Sequence, residues 1–401
     1  MLGYKLISLF GIFAFLFIAW LFSEDRRRAD LRLCAWGIAL QFAFALAILK
    51  TAPGLFIFDL AKSAITRVLD FTDIGAAFLF GKLATDFSIG AVFAFKVLPT
   101  IIFVSSLMAV LYHFGIIQAV IKAIAWVMRR TMKTGGAETF MTAAFVFTGI
   151  ETVTAIKNYI RRMTRSELFT LMTAFMATIA GSVMAAYASF GINAGHLLAA
   201  SVMSAPAALV ISKLIVPSTE RTPEEEAALD EHLAGSDSNV IEAASNGAEA
   251  GLKLALTIGA LLIAFISLIG MADSLLGYAG TSFGSVTGYL FAPFALLMGV
   301  PLADVFTIGE LLGIKVIFNE FISYQKLMPL IQAGTLDPRS VVIATYALCS
   351  FANFGSLAIL IGGIGGVAPE RKKEVVALGL KSILAGSLAS FLTATIAGVI
   401  I

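Results

Sequence analysis

Charge is what this sequence has least of. Of 401 residues, 13% are Asp, Glu, Lys or Arg, about half the roughly 25% of ordinary soluble domains. A soluble chain of this length needs a polar skin around its core. Too little polar material is present to make one, which excludes a secreted, cytosolic, disordered or collagen-like protein. Cysteine is almost absent. Cys34 and Cys349 both lie in apolar runs and read as small buried hydrophobes, not as a disulfide or a metal pair. The three histidines, His113, His196 and His232, are too far apart for a ligand cluster, so no metal site is expected. Lys+Arg (28) nearly balances Asp+Glu (26), which implies no nucleic-acid partner. No GxxxxGK[ST] loop is present, so ATP-driven pumping has no support.

What is present is apolar: 59% of the chain, with a mean hydropathy of +0.93. The expected class is an all-α, polytopic membrane protein. At about 20 residues per crossing, that stock allows at most about 12 spans. The runs themselves suggest eight: residues 6–22, 33–49, 89–113, 168–191, 197–216, 251–273, 341–363 and 375–401. The first is long for a signal peptide, lacks an A-x-A-like cleavage site and carries its arginines on the wrong side, so it reads as a span. Residues 53–83 and 115–133 are apolar but studded with charge, the pattern of interfacial helices. Residues 217–247 form an acidic, soluble-looking connector.

Two apolar segments, 138–160 and 286–330, each carry an acid in mid-run: Glu151 and Glu320. Irregular backbone is tolerated at membrane depth only inside protein, so both read as re-entrant hairpins. With eight spans and two returning hairpins, 17 of the 28 basic residues fall on one side and seven on the other. The richer side is expected to be the cytoplasm, placing both termini outside.

The two halves also echo each other. Glu151 is followed by Thr178–Ser182, and Glu320 by Asn353–Ser356. Hairpins entering from opposite sides make the repeats inverted, as in secondary transporters, whose broken helices bind solute or cation at mid-membrane. The expected layout is scaffold helices and a surface helix over 1–113, a first transport repeat over 114–216, an acidic loop over 217–250, a scaffold helix over 251–273, and a second repeat over 274–401.

An ionised carboxylate in the apolar region costs at least about 2.5–3.5 kcal/mol on insertion scales. Glu151 and Glu320 are therefore candidate substrate or proton ligands; the structural alternative is pairing with Lys157 or Lys315. Asn353 and Ser356, spaced i, i+3, share a face if helical. They suit a polyol edge with Phe351 stacking nearby, or else plain interhelical hydrogen bonds.

The strings Phe93-Ala94-Phe95-Lys96-Val97-Leu98-Pro99, Ser166-Glu167-Leu168-Phe169 and Ala186-Tyr187-Ala188-Ser189 stand in order along the chain. So do Gly299-Val300-Pro301, Asn319-Glu320-Phe321, Phe351-Ala352-Asn353-Phe354-Gly355-Ser356 and Thr393-Ala394-Thr395-Ile396-Ala397-Gly398. With them the sequence resembles the concentrative nucleoside transporter family along essentially its whole length. The resemblance implies a homotrimer in the inner membrane, cation-coupled nucleoside uptake, no enzymatic activity and no cofactor beyond a coupling ion, Na+ or H+. It implies ribose binding by Glu320, Asn353 and Ser356, with Asn319 and Phe351 beside them. It places Glu151, Thr152 and Val183 on the base side, and a cation near Thr148, Thr178 and Ile179.

The chain departs from the family at the first tip. The family motif Gly-Gln-(Thr/Ser)-Glu is here Gly149-Ile150-Glu151-Thr152. The tip is one residue shorter, and Ile150 offers a base edge neither donor nor acceptor. Phe145 stands where the family's sodium site has a polar side chain. A changed substrate class and proton coupling through Glu151 or Glu320 are the resulting alternatives; an intramembrane enzyme is a remoter one, since no Ser–His or metal constellation accompanies the two acids.

Overall fold

The computed structural model describes residues 2–85, 93–150, 152–153, 156–218 and 237–401, and contains no strand among them. The chain opens with α1 (Leu2–Leu21), α2 (Leu31–Lys50) and α3 (Ala52–Phe80). Asp30 and Thr51 start α2 and α3 by accepting from the amides of Leu33 and Gly54, the ordinary N-cap geometry. Then come α4 (Leu98–His113), the amphipathic α5 (Ile116–Met132) and α6 (Gly136–Ala144). On α5 the buried residues Ile117, Ile121, Ala125, Met128 and Met132 form one stripe, as a surface helix requires.

The helices α7 (Arg165–Ala177), α8 (Gly181–Ser189), α9 (Ala194–Ile215) and α10 (Val240–Gly277) follow. The last part holds α11 (Phe283–Leu297), α12 (Val305–Ile317), α13 (Glu320–Gln332), α14 (Pro338–Leu348), α15 (Phe354–Val367) and α16 (Lys372–Ile400).

Among the described residues, seven helical stretches are long and apolar enough to cross a membrane. The run 341–363 is two shorter helices, α14 and α15, separated by an unwound stretch at 349–353. The run 168–191 is likewise broken, between α7 and α8, at 178–180.

Two boundaries differ from the sequence reading. The expected hairpin at 286–330 is three helices: α11 is a separate element packed along α12, and the hairpin proper is α12 and α13. A positive-φ turn at Gly299 (φ 83°), a conformation that favours glycine, separates them inside one apolar run. Residues 240–250, expected in the acidic loop, are the first turns of α10, started by Asn239 accepting from Glu242 N at 3.0 Å. At 38 residues and about 1.5 Å per residue, α10 is far longer than the roughly 30 Å apolar layer. The return arm of the first hairpin is described at residues 152–153 and 156–160, the latter including the one-turn helix Lys157–Ile160.

Hydropathy does not set burial here. The most apolar stretch, in α10, is 17% buried, whereas the α7–α8 stretch is 94% buried. A helix apolar all round faces lipid or core equally well, so packing decides. The core is α7, α9 and α16, with α1, α2 and α14 packed on it, while α4 lies along α10 and touches α3.

The charged loops gather at two ends. Arg165 and Lys381 both pair with Glu24, at 2.9 and 2.7 Å. Arg161 pairs with Glu370 at 3.2 Å, and Arg371 Nη1 donates to Met163 O at 2.7 Å. Lys5 and Arg339 lie at the other end, donating to Ile400 O and to Ser8 and Gly299.

Candidate functional site

The two helix breaks meet. The amide of Phe351, in the second break, donates to Thr178 O in the first at 3.1 Å. The amide of Gly181, opening α8, donates to Phe147 O on the first hairpin at 3.1 Å. Helix ends leave unpaired amides and carbonyls, and here the breaks satisfy some of one another's.

Two helix N-termini open on the cavity beside this crossing. Asn319 caps α13, its Oδ1 accepting from Ile322 N at 2.9 Å. Asn353 caps α15, its Oδ1 accepting from Ser356 N at 2.7 Å. Glu320 is the first residue of α13 and 5% exposed. Its position at the positive end of the helix dipole suits a carboxylate. Oε2 of Glu320 accepts from Asn353 Nδ2 at 2.8 Å, and Oε1 accepts from the hydroxyl of Tyr187 at 2.6 Å.

Tyr187 is the residue that sequence reasoning missed. It stood in a matched string, but nothing in its spacing marks it as polar machinery. It is fully buried and held by the rings of Tyr324 (4.6 Å) and Phe321 (5.5 Å). The signal that could have found it is a buried tyrosine hydroxyl needing a partner in a repeat that faces a lone acid.

Asn319, Glu320, Phe351, Asn353 and Ser356 line one central cavity, and Val183 lines it from α8. The Asn319 amide nitrogen and the Ser356 hydroxyl have no partner among the described residues. Glu151 lies outside the described residues. Thr152 does not line this cavity: it faces a neighbouring vestibule with Thr148, and the two hydroxyls are 2.5 Å apart. Gly149 and Ala180 border both spaces.

Lys315 does not pair with Glu320. It is fully buried, donates to Ser390 Oγ at 3.1 Å and stands 5.3 Å over the Phe391 ring. No ion pair joins Lys315 to Glu320 among the described residues, so Glu320 is held by neutral donors and leaves lone pairs for a ligand.

Of the cation candidates, Thr178 and Ile179 are buried in the first break. The Thr148 and Thr178 hydroxyls donate along their own helices to Ala144 O and Ala174 O, each at 2.8 Å. Their oxygens keep lone pairs, the hard donors such ions take. Phe145 instead packs its ring edge-on to Phe175 at 5.7 Å and brings no oxygen. No group of three or more His, Cys, Asp or Glu is placed to hold a metal ion among the described residues.

Residues 10–83 and 196–398 match the N- and C-terminal regions of the Na+ dependent nucleoside transporter, and residues 94–194 match the gate described as nucleoside recognition. Mouse solute carrier family 28 member 3 is 41% identical over 99% of this chain, which spans 59% of that relative's length. An uncharacterised transporter of Bacillus subtilis is 40% identical over 98% of this chain and 99% of its own. The structure of CNTnw in an inward-facing, substrate-bound state superposes with a TM-score of 0.93 at 38% identity, covering 99% of this chain and 97% of that one. These relatives are transporters, not enzymes. The broken helices, the capped hairpin carboxylate and these likenesses agree, and the chain belongs to the concentrative, sodium-dependent nucleoside transporter family.

Proposed function

We propose that this chain carries nucleosides or close ribosyl compounds inward across the cytoplasmic membrane, coupled to a cation. The observation that carries the reading is the polar cluster: Glu320 fixed by two donors, with the Asn319 amide nitrogen and the Ser356 hydroxyl beside it and without partners among the described residues. A sugar diol donates to the carboxylate and accepts from the amide, and Phe351 offers a ring face. Each hydrogen bond to the Glu320 carboxylate contributes about 1.5–3 kcal/mol, so a ligand whose hydroxyls meet it binds selectively.

Sodium is the coupling ion of this reading, held by Thr148, Thr178 and main-chain carbonyls near Ile179. Proton coupling through Glu320 is the alternative, favoured by the ring of Phe145 near the expected ion site. The basic cluster around Glu24 marks the cytoplasmic face by the positive-inside rule, which puts both termini outside. Packing argues for a moving unit that includes α1 and α2 with both repeats, and a fixed unit of α3, α4 and α10 that assembles as a homotrimer. This moves the unit boundary from the division at residue 113.

Labelled uridine and adenosine uptake into proteoliposomes, with sodium and pH gradients imposed separately, tests substrate and ion together. Saturable uptake driven by one gradient is expected. No uptake of any ribosyl compound under either gradient sinks the reading.

A further inference from the structure

The first hairpin is fastened by cations at the base of both its arms. Its outgoing arm, α6, carries Glu138, which meets Lys213 of α9 at 2.5 Å, with both side chains 6% exposed. That pair lies inside the first repeat. The return arm is held from the second repeat. Arg371, in the loop between α15 and α16, donates from Nη1 to Met163 O at 2.7 Å, with Ile160 O at 3.2 Å and Arg161 O at 3.3 Å beside it. The other edge of the guanidinium is taken by Glu374, whose Oε2 accepts from Nε at 3.0 Å and lies 2.9 Å from Nη2. The last carbonyls of a helix lack partners inside it and carry the negative end of its dipole. A cation placed on the carbonyls after the one-turn helix Lys157–Ile160 answers both needs. The Arg371 side chain is 14% exposed, so salt screens this contact less than an open surface pair.

The grip is reciprocal. Arg161 Nη2 donates back to Val367 O, the last residue of α15, at 3.4 Å, and Arg161 pairs with Glu370 at 3.2 Å. At its far end the same hairpin leans on the same helix. Ile150 packs against Gly363, where an added Cβ would stand 2.8 Å from its Cγ1 and Cδ1. The other end of α15 begins at Asn353 and Ser356, which line the central cavity together with Gly149 and Ile150 of the hairpin. One helix therefore carries polar residues of the cavity at its start and the clamp on the first hairpin just past its end.

We propose that Arg371 is a positioning residue for transport: it holds the first hairpin against α15 and so sets where the hairpin tip stands relative to Asn353 and Ser356. It touches no substrate, and its effect passes through the return arm. The inference deepens the nucleoside reading above and rests on it for the substrate, whereas the clamp itself stands on the contacts between the two loops. Preorganised sites lose affinity when their supports loosen, because the ordering cost moves to the binding step. Lysine is a poor substitute for Arg371, since a point charge lacks the planar fork that serves the carbonyls and Glu374 at once.

The test joins two measurements on the full chain in lipid bilayers: hydrogen exchange of the peptide covering residues 156–163, and labelled uridine uptake kinetics. The variants are Arg371→Met, Arg371→Lys and a control, Lys381→Met, which removes a partner of Glu24 on the same face without touching the hairpin. In Arg371→Met, exchange of that peptide should rise about tenfold or more, as expected of a locally released segment. The KM for uridine should rise about fivefold or more, with the maximal rate reduced less. Arg371→Lys should fall between parent and Arg371→Met in both, and it decides by the same criteria if the methionine variant does not fold. The control should leave both within twofold of the parent. Exchange within twofold of the parent in the Arg371 variants overturns the clamp. Raised exchange with a KM within twofold overturns the positioning role, as does a control that raises the KM as much as Arg371→Met. A parent chain that takes up no uridine removes the nucleoside reading, and the exchange comparison then upholds or overturns the clamp by itself.

Discussion

Removing the Tyr187 hydroxyl probes the site with a single atom. Tyr187→Phe keeps the ring that packs on Tyr324 and Phe321 and deletes the donor 2.6 Å from Glu320 Oε1. The carboxylate then keeps one side-chain donor, Asn353, and is free to swing about that bond. A buried hydrogen bond to a charged group contributes about 1.5–3 kcal/mol, which is about ten- to a hundredfold in an equilibrium constant. If Tyr187 aims Glu320 at the substrate, the loss appears as a raised KM for uridine uptake, about tenfold or more, with the maximal rate reduced less. A merely structural tyrosine would lower the melting temperature and leave the KM of the folded fraction alone. The assay is therefore uptake kinetics beside thermal unfolding in the same detergent. A KM within twofold of the parent protein refutes the assignment, whatever happens to the melting point.

Three other perturbations follow from the packing and the charges. Gly363→Ala puts a Cβ 2.8 Å from Cγ1 and Cδ1 of Ile150, so the end of that partly buried side chain must turn aside, a cost offset by the about 0.5–1 kcal/mol that alanine gains over glycine in a helix. Ile150→Ala in the same chain should raise the melting temperature above that of Gly363→Ala alone, and a double variant no better than Gly363→Ala argues against the contact. Lys213→Met strands the buried Glu138 carboxylate, which Lys213 meets at 2.5 Å; breaking a buried pair from one side costs about 3–5 kcal/mol, and a melting temperature that stays unchanged would count against a charged pair. The Arg165 hydrogen bond, with Lys381 adding to it, holds the Glu24 carboxyl down from 4.5 to about 2. A depressed carboxyl stabilises the fold above its ordinary value of 4.5 and loses that contribution as pH falls toward 2. The pair is partly exposed, so Glu24→Gln should cost up to about 1 kcal/mol at neutral pH. The melting-temperature gap between parent and variant should close on acidification below pH 4.5; a gap that widens there contradicts the pairing.

Much of the site was legible along the chain because lipid makes polar groups conspicuous. Glu320, Asn353 and Ser356 stood out as polar exceptions in apolar runs, and they meet in one cavity. The breaks at 178–180 and 349–353 were foreshadowed by the polar and glycine residues there. Thr152 was misplaced because a one-residue step along a tip turns a side chain through a large angle, and the string Gly149-Ile150-Glu151-Thr152 does not say which way. The helix α11 was merged into the hairpin because both are apolar, and only the turn at Gly299 parts them. The first turns of α10 were taken for loop because Glu242, Asn246 and Glu249 hide a helix in a polar composition.

Composition alone required the solvent and the class. Scarce charge requires a bilayer, because transfer energies depend on composition, and the uneven placement of arginine and lysine supplies an expected orientation. What only the tertiary structure decided is which groups touch. Tyr187 reaches Glu320 across 133 positions, Phe351 joins the two breaks, and Ile150 packs against Gly363 of α15. Each of these contacts depends on the rotation of one helix against another. In an apolar medium hydrophobicity barely favours one rotation over the next, so that choice falls to side-chain shape and hydrogen-bond pairing.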